Sequence, residues 1–372
     1  QARAAIGKDP LEMATNLASK EDNDWQDIML RPALMQNYNL SIKGGGKYHT
    51  YYNSVGYTDQ DGIVKGTNYQ RFSLQSKNDY KSGIFAAGVN VILTYDENKP
   101  LWGGTRGGMI GRILLNPPTL AKYDENNVGG YGASYGDVIN LEHPLVLIDD
   151  NLMKRTENNT KIYANAYLSL EPIKGLKYKL NITPDFQFYR YNEYEGIYET
   201  GLQANEIATT AETQTRRRNV LVENLLTYEA TFGKHKVSAL AGYSYQDTRY
   251  RYLYGYGKGM TSGIQEIDGA SEGLTTSGNT SRSVLTSLLG RVFYSFDNRY
   301  LVTATIRRDG SSKFGSNYRY GNFPSASVGW NVAEERFVKD KVDWLDQLKI
   351  RAGYGVLGNQ EIDDYQYSSV IT

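Results

Sequence analysis

Residues 291–332 contain two strand-like segments joined by a very short turn, followed by a long polar loop and a third strand-like segment. From residue 300 to 307, Tyr, Val, Ala and Ile occupy the even positions, while Thr303, Thr305 and Arg307 occupy odd ones. After a long polar connection, residues 324–332 alternate in the same way, ending at Trp330 and Val332. A two-residue period is typical of β-strands with two different faces. The dipeptide Asp297-Asn298 leaves room only for a tight reversal, so the pattern predicts an antiparallel hairpin.

The same alternation recurs from Tyr38 onward and predicts an all-β chain. The twelve strand candidates are residues 38–44, 48–58, 69–79, 84–95, 160–170, 176–190, 218–231, 236–250, 284–296, 299–308, 323–332 and 347–356.

Short and long connections alternate between these strands. The short ones are 44–47, 79–83, 171–175, 233–234 and 297–298, and the long ones are 59–68, 96–159, 193–217, 252–282 and 309–322. The link 333–346 is of medium length and falls on the short side. Short turns on one rim and long loops on the other are typical of transmembrane antiparallel β-barrels. Since no apolar run reaches the length of a membrane helix, a membrane location requires a barrel.

Composition favours the barrel over a soluble sandwich, the alternative that alternation alone leaves open. Hydrophobic residues make up 40% of the 372 residues, yet there are 32 tyrosines. A packed interior rarely has so few apolar and so many tyrosine residues, whereas a barrel places tyrosines at the two membrane boundaries.

Charge and motif content argue against catalysis, cofactors and nucleic acid. Lys+Arg and Asp+Glu are equal at 41 each, so no basic field favours nucleic acid. Cysteine is missing, and the three histidines, His49, His143 and His235, stand far apart without acidic residues at metal-ligand spacing. We therefore predict a non-enzyme with no catalytic residues, no metal site and no cofactor.

The first residues differ from the rest. Asp9-Pro10, followed by a short apolar stripe, resembles a helix start, and a second apolar patch begins at Trp25. We predict residues 1–37 to be a loop segment with short surface helices and residues 38–372 to be a partial β-barrel. The beginning at Gln1 resembles the interior of a longer protein.

The long connection 96–159 contains the candidate ligand contacts. Trp102, Tyr123, Tyr131 and Tyr135 lie there among glycines. Aromatic rings on polar loops can stack on sugar rings or on peptide side chains. The alternative is that these rings pack loop against loop or lie at the headgroup level.

Several segments, in matching order, resemble the SusC/RagA family of TonB-dependent outer-membrane transporters. They are NDWQD at 23–27, QNYNLSIKGG at 36–45, YYNSVGYTDQDGIV at 51–64, EPIKGL at 171–176, GKH at 233–235, LAGY at 240–243, RRDGSSKFG at 307–315, FPS at 323–325 with GW at 329–330, and GYGVLGNQ at 353–360. The resemblance spans nearly the whole chain.

The resemblance implies a 22-stranded barrel with a plug and a TonB-interacting N-terminus, so this chain is expected to be a fragment covering about the first half of the barrel. Short turns then face the periplasm, long loops face outside, and the edges at 38–44 and 347–356 pair with other chain. The expected function is import of oligosaccharides or peptides across the bacterial outer membrane with a SusD-like surface lipoprotein and TonB. The alternative is an outer-membrane receptor or adhesin that acts through its loops, and a soluble all-β binding module is a third possibility.

Overall fold

The computed structural model describes residues 21–103, 108–133, 141–201, 203–261, 264–342 and 344–367. Twelve strands form one antiparallel sheet in which each strand pairs with its neighbours along the chain. They are β1 Met35–Gly45, β2 His49–Asp61, β3 Asn68–Ser82, β4 Phe85–Lys99, β5 Met153–Ile173, β6 Leu176–Glu195, β9 Thr209–Phe232, β10 His235–Met260, β11 Ala270–Phe296, β12 Tyr300–Ser311, β13 Tyr320–Asn331 and β14 Lys349–Gly355. A separate small hairpin consists of β7 Tyr198–Glu199 and β8 Ala204–Asn205.

All twelve predicted strands are confirmed, but the predicted ends were wrong at the long-loop rim. Strand β10 continues ten residues past the predicted end, to Met260, and β11 begins at Ala270 instead of residue 284. Residues 252–260 and 270–282, predicted as loop, are strand because backbone hydrogen bonds between β10 and β11 extend the ladder beyond the alternating segment. The connection there is only residues 261–269.

The predicted hairpin at Asp297-Asn298 is confirmed. Both residues have positive φ, 52° and 54°. Two consecutive residues with positive φ define the type I′ reversal, whose twist matches the twist of the flanking strands. The Asp297 carboxylate also accepts a hydrogen bond from the Lys234 ammonium in the neighbouring turn, at 2.9 Å. The two short turns therefore lie side by side on one rim.

One face of the sheet is apolar from strand to strand although it is exposed. In β11, β12 and β13, the register aligns Val292 with Ala304 and Ala304 with Ala326. Val302 and Val328 are paired one row away, and each exposes more than two fifths of its surface. A soluble protein rarely exposes so large an apolar patch, whereas a barrel wall presents one to lipid. We call this surface the outer face.

Aromatic rings border the outer face at two levels. At the short-turn rim they are Phe232, His235, Phe296, Tyr300 and Trp330, on consecutive strands. Toward the long loops, Tyr38, Tyr57, Phe72 and Tyr95 lie side by side on β1 to β4. On β4, Phe85 and Tyr95 are ten residues apart, about 33 Å along a strand. A strand tilt of about 40° reduces this to a height of about 25 Å, the height of the apolar band in outer-membrane barrels.

In the described part of the chain, three short helices lie outside the sheet: α1 Trp25–Met29, α2 Met109–Leu115 and α3 Arg336–Lys339. Single 3-10 turns occupy Val146–Ile148, Ile267–Gly269, Ser316–Tyr318 and Val332–Glu334. Among the described residues, no helix is long and apolar enough to span a bilayer. The helix predicted after Asp9-Pro10 lies outside the described residues. The second patch forms α1, whose Trp25 and Met29 are buried while Gln26 and Asp27 are exposed.

Candidate ligand-binding loops

The largest buried hydrophobic cluster of the described chain lies in the loops and not against the sheet. It comprises Trp25, Met29, Val64, Met109, Ile113, Leu120, Val146, Leu147, Met153 and Tyr198. These residues come from α1, the β2–β3 connection, the β4–β5 connection, the start of β5 and the β6–β9 connection. We call the described residues 21–34, 62–67, 100–152 and 196–208 the loop domain. A shared core indicates that these loops fold as one packed unit.

Hydrogen bonds join the separate segments of the loop domain. The Asn23 side-chain amide donates to the Leu120 carbonyl at 2.8 Å, and the Trp25 indole N–H donates to the Pro117 carbonyl at 2.9 Å. The Lys65 backbone N–H donates to the Met29 carbonyl at 2.9 Å. Three stretches of chain that are distant in sequence are thus fixed to one another around α1.

His143 is a buried structural residue of this core. Its side chain is 1% exposed, and Trp25 meets its ring edge-on at a centroid distance of 5.0 Å. The Leu145 N–H donates to Nδ1, so Nε2 carries the hydrogen and donates to the Ala121 carbonyl at 3.0 Å. Burial lowers the pKa of His143 to about 4, which keeps the ring neutral at physiological pH.

Trp102, a predicted ligand contact, lies close to two guanidinium groups. The Arg112 group lies 4.6 Å and the Arg155 group 5.4 Å from the centre of the indole. Arg112 also binds the Glu142 carboxylate through Nε, at 2.7 Å, while Arg155 binds Glu193 at 2.5 Å. Because Arg155 and Glu193 belong to β5 and β6, this stack attaches the loop domain to the rim of the sheet.

The predicted tyrosines have different environments. The Tyr131 hydroxyl donates to the Asp149 carboxylate at 2.8 Å, and its ring lies 5.4 Å from that of His143. Burial and the neighbouring Asp149 carboxylate raise the pKa of Tyr131. Tyr123 packs one side against Tyr131 but is 66% exposed. Tyr135 lies outside the described residues. The structure thus brings Tyr123 and Tyr131 together, and ligand contact by any of the four stays a prediction.

Sequence reasoning missed the residues that connect the loop domain to the sheet. Arg112, Glu142, Arg155 and Glu193 belong to no local motif, and their pairing depends on separations of 30 and 38 residues. Tyr198 is buried beside them, and burial raises its pKa to about 12. Within the part of the chain that the structure describes, no group of three His, Asp or Glu residues could hold a metal ion.

The chain is similar in sequence to TonB-dependent receptors and in fold to the RagAB peptide transporter. The chain is 32% identical to TonB-dependent receptor P3 of Formosa agariphila over 93% of its own length and 35% of that protein. It is 30% identical to TonB-dependent receptor SusC of Bacteroides thetaiotaomicron over 93% of its length and 36% of that protein. The fold matches the RagAB peptide transporter with a TM-score of 0.79 at 21% identity, covering 94% of this chain and 40% of that one. No protein-family model matches. The chain spans about a third of the length of the curated relatives.

Proposed function

We propose that this chain, which belongs to the SusC-like TonB-dependent receptors of the bacterial outer membrane, forms part of an importer. Its sheet supplies a section of the barrel wall, and its loop domain supplies part of the external surface that meets the cargo. The observation that carries this proposal is the pairing of an apolar outer face, about 25 Å high between aromatic rows, with a polar opposite face. A wall of this kind separates lipid from a hydrophilic interior.

The proposed cargo is an oligosaccharide or a peptide. Aromatic rings offer flat apolar surfaces to either, and Tyr123 presents such a ring to solvent beside Tyr131. Trp102, Tyr131 and Tyr135 complete the proposed contact set. The structural relative RagAB is a peptide transporter, whereas the name of the SusC relative specifies no cargo. Both cargo classes therefore enter the test.

The proposed partners are TonB, acting through other parts of the receptor, and a SusD-like surface lipoprotein. The packed core of the loop domain supports the second partner. A loop unit with its own buried core and ion-paired attachments to β5 and β6 keeps one shape, and a preformed surface lowers the entropic cost of docking another protein. The loop domain is the proposed docking side. The proposed division of the chain remains a loop segment at residues 1–37 and a partial barrel at residues 38–372, whose long loops contribute to the loop domain.

Uptake by the native organism tests import directly. The full-length gene is deleted, and entry of fluorescently labelled oligosaccharides and peptides into the periplasm is compared in deleted, complemented and TonB-deficient cells. We expect uptake of one cargo class to be lost on deletion, restored on complementation and absent in TonB-deficient cells. Surface binding that persists without TonB and never leads to uptake of either class would instead establish a receptor or adhesin.

Mild-detergent extraction of the tagged full-length receptor tests the partner. Mass spectrometry of the purified material is expected to find a surface lipoprotein in near-equimolar amount. Recovery of the receptor with no such lipoprotein, under conditions in which uptake still occurs, contradicts the proposed lid partner and leaves import unaffected.

A further inference from the structure

An arginine cluster lies on the outer face just beyond the apolar band. Arg218 on β9, Arg249 on β10 and Arg282 on β11 are directly opposite one another in the register, and Arg216 pairs with Arg251 in the next row. All five are exposed. They share the face of Leu226 and Val292, because even positions of β9 and β11 and odd positions of β10 point the same way. We call these five residues the arginine cluster.

The height of the cluster corresponds to lipid headgroups. On β10, the outer-face residues after Tyr243 are Tyr245, Asp247 and Arg249. Arg249 therefore lies four residues beyond Tyr245, about 13 Å along the strand and about 10 Å higher at a tilt near 40°. With the long-loop rim on the outside, the orientation on which the proposed function rests, this level lies in the headgroup layer of the outer leaflet.

The charges of the cluster are poorly neutralised by the protein. Arg282 pairs with Asp247 at 3.0 Å, and the same carboxylate lies 3.8 Å from Arg249. Arg216, Arg218 and Arg251 make no ion pair with any described residue. Like charges directly opposite in a sheet destabilise it. Five arginines against one carboxylate therefore leave an excess that an external anion would relieve.

The outer face also carries Arg190 on β6 and Arg308 on β12, but each has a partner in the protein: Arg190 pairs with Glu212 at 2.8 Å, and the Arg308 guanidinium lies 5.1 Å from the centre of the Tyr320 ring. Beyond the aromatic row near the long loops, β2 carries Asp59 and Asp61 and β4 carries Glu97, so the outer face is acidic on these strands. A general preference for basic residues at the rim thus does not explain why five arginines are concentrated on β9, β10 and β11. A second copy docking symmetrically on this surface would bring arginine against arginine.

We propose that the arginine cluster binds phosphate groups of outer-leaflet lipid headgroups. Guanidinium groups bind phosphate oxygens through paired, charge-assisted hydrogen bonds. The cluster places five such groups on three adjacent strands, at headgroup height, beside an apolar wall that receives acyl chains. The occupant is a phosphorylated lipid with its tails on the outer face, held at one sector of the barrel.

Native mass spectrometry of the full-length receptor in detergent tests the proposal, with monophosphoryl lipid A as the probe and its dephosphorylated form for comparison. Arg218→Gln is compared with Arg217→Gln, since Arg217 is exposed on the same strand but points to the opposite face. We expect the phosphorylated probe to bind the parent, about tenfold weaker binding in Arg218→Gln, and a further loss when Arg249→Gln is added. Arg217→Gln should bind like the parent, and all variants should keep the mobility of the folded barrel in gels.

Three results would overturn the proposal. The two probes could bind equally, Arg217→Gln could lose as much binding as Arg218→Gln, or millimolar inorganic phosphate could displace the lipid completely, which would make the cluster a site for free anions. Loss of receptor self-association in Arg218→Gln, with lipid binding unchanged, would assign the cluster to a second copy instead.

Discussion

Replacing Met29 with alanine tests whether the loop domain is a cooperative unit separate from the barrel wall. Met29 is entirely buried at the centre of the loop core. Truncating a buried methionine to alanine removes transfer free energy and leaves a cavity, at a cost of about 2–5 kcal/mol. A loss of ~3 kcal/mol raises the opened population of the loop domain by roughly a hundredfold.

Hydrogen exchange followed by mass spectrometry measures this opening in the full-length receptor. The amides of Lys65 and Arg31 donate to the Met29 and Ile63 carbonyls, both at 2.9 Å, so they report on the loop domain. In Met29→Ala they should exchange roughly a hundredfold faster, while amides in the middle of β9 and β10 keep their protection.

Met35→Ala is the matched control, because Met35 on β1 is 59% exposed. Its replacement should change loop stability by less than ~0.5 kcal/mol. Equal effects of the two substitutions, or faster exchange of the strands together with the loops in Met29→Ala, would refute an independently packed loop domain.

Further predictions concern one titration, one ion pair and one turn. Burial lowers the pKa of His143 to about 4, so as pH falls from ~6.5 to about 4 the opened form takes up the proton before the folded form does. The stability of the loop domain should therefore decline across that window by up to ~3 kcal/mol. Hydrogen exchange of the loop amides, corrected for intrinsic rates, should follow this decline in the parent and show no such pH dependence in His143→Gln. For the largely buried Arg112–Glu142 pair, replacing either partner by Gln should cost the loop domain ~3 kcal/mol, whereas the double variant should lose less than the sum; additive losses in a double-mutant cycle would contradict a coupled pair. Gly175→Ala should sharply reduce the amount of folded barrel, measured as heat-modifiable gel mobility, because φ at Gly175 is 86° and a Cβ would lie 2.1 Å from the Glu229 carbonyl oxygen. Gly46→Ala should assemble normally, because open space surrounds Gly46.

The strands could be predicted from the sequence because each presents its two faces to different surroundings. This signal fades beyond the membrane, where both faces meet water. Residues 270–282 of β11 are almost entirely small and polar and carry no alternation, and only their backbone pairing with β10 makes them strand. The same loss of contrast explains why β5, β6 and β9 were predicted too short at the long-loop rim: β5 and β9 begin earlier than predicted, and β6 ends later.

The loop domain could not be predicted, because its core is assembled from residues far apart in sequence. Trp25, Val64, Met109 and Val146 come from four separate segments, and each segment alone has too few apolar residues to show a period. Trp102 and Tyr131 were recognised as unusual aromatic residues in a polar loop. Their partners, two arginines for Trp102 and Asp149 with His143 for Tyr131, depend on the tertiary fold.

The orientation of the sheet in the membrane is the central claim, and accessibility of spin labels tests it most directly. In the full-length receptor in lipid bilayers, single cysteines carrying a nitroxide label replace residues 302 to 305 in turn. Labels at Val302 and Ala304 should collide preferentially with dissolved oxygen, which concentrates in lipid, and labels at Thr303 and Thr305 with a water-soluble nickel reagent. The opposite preference, or water access at all four positions, would contradict a wall whose outer face meets lipid.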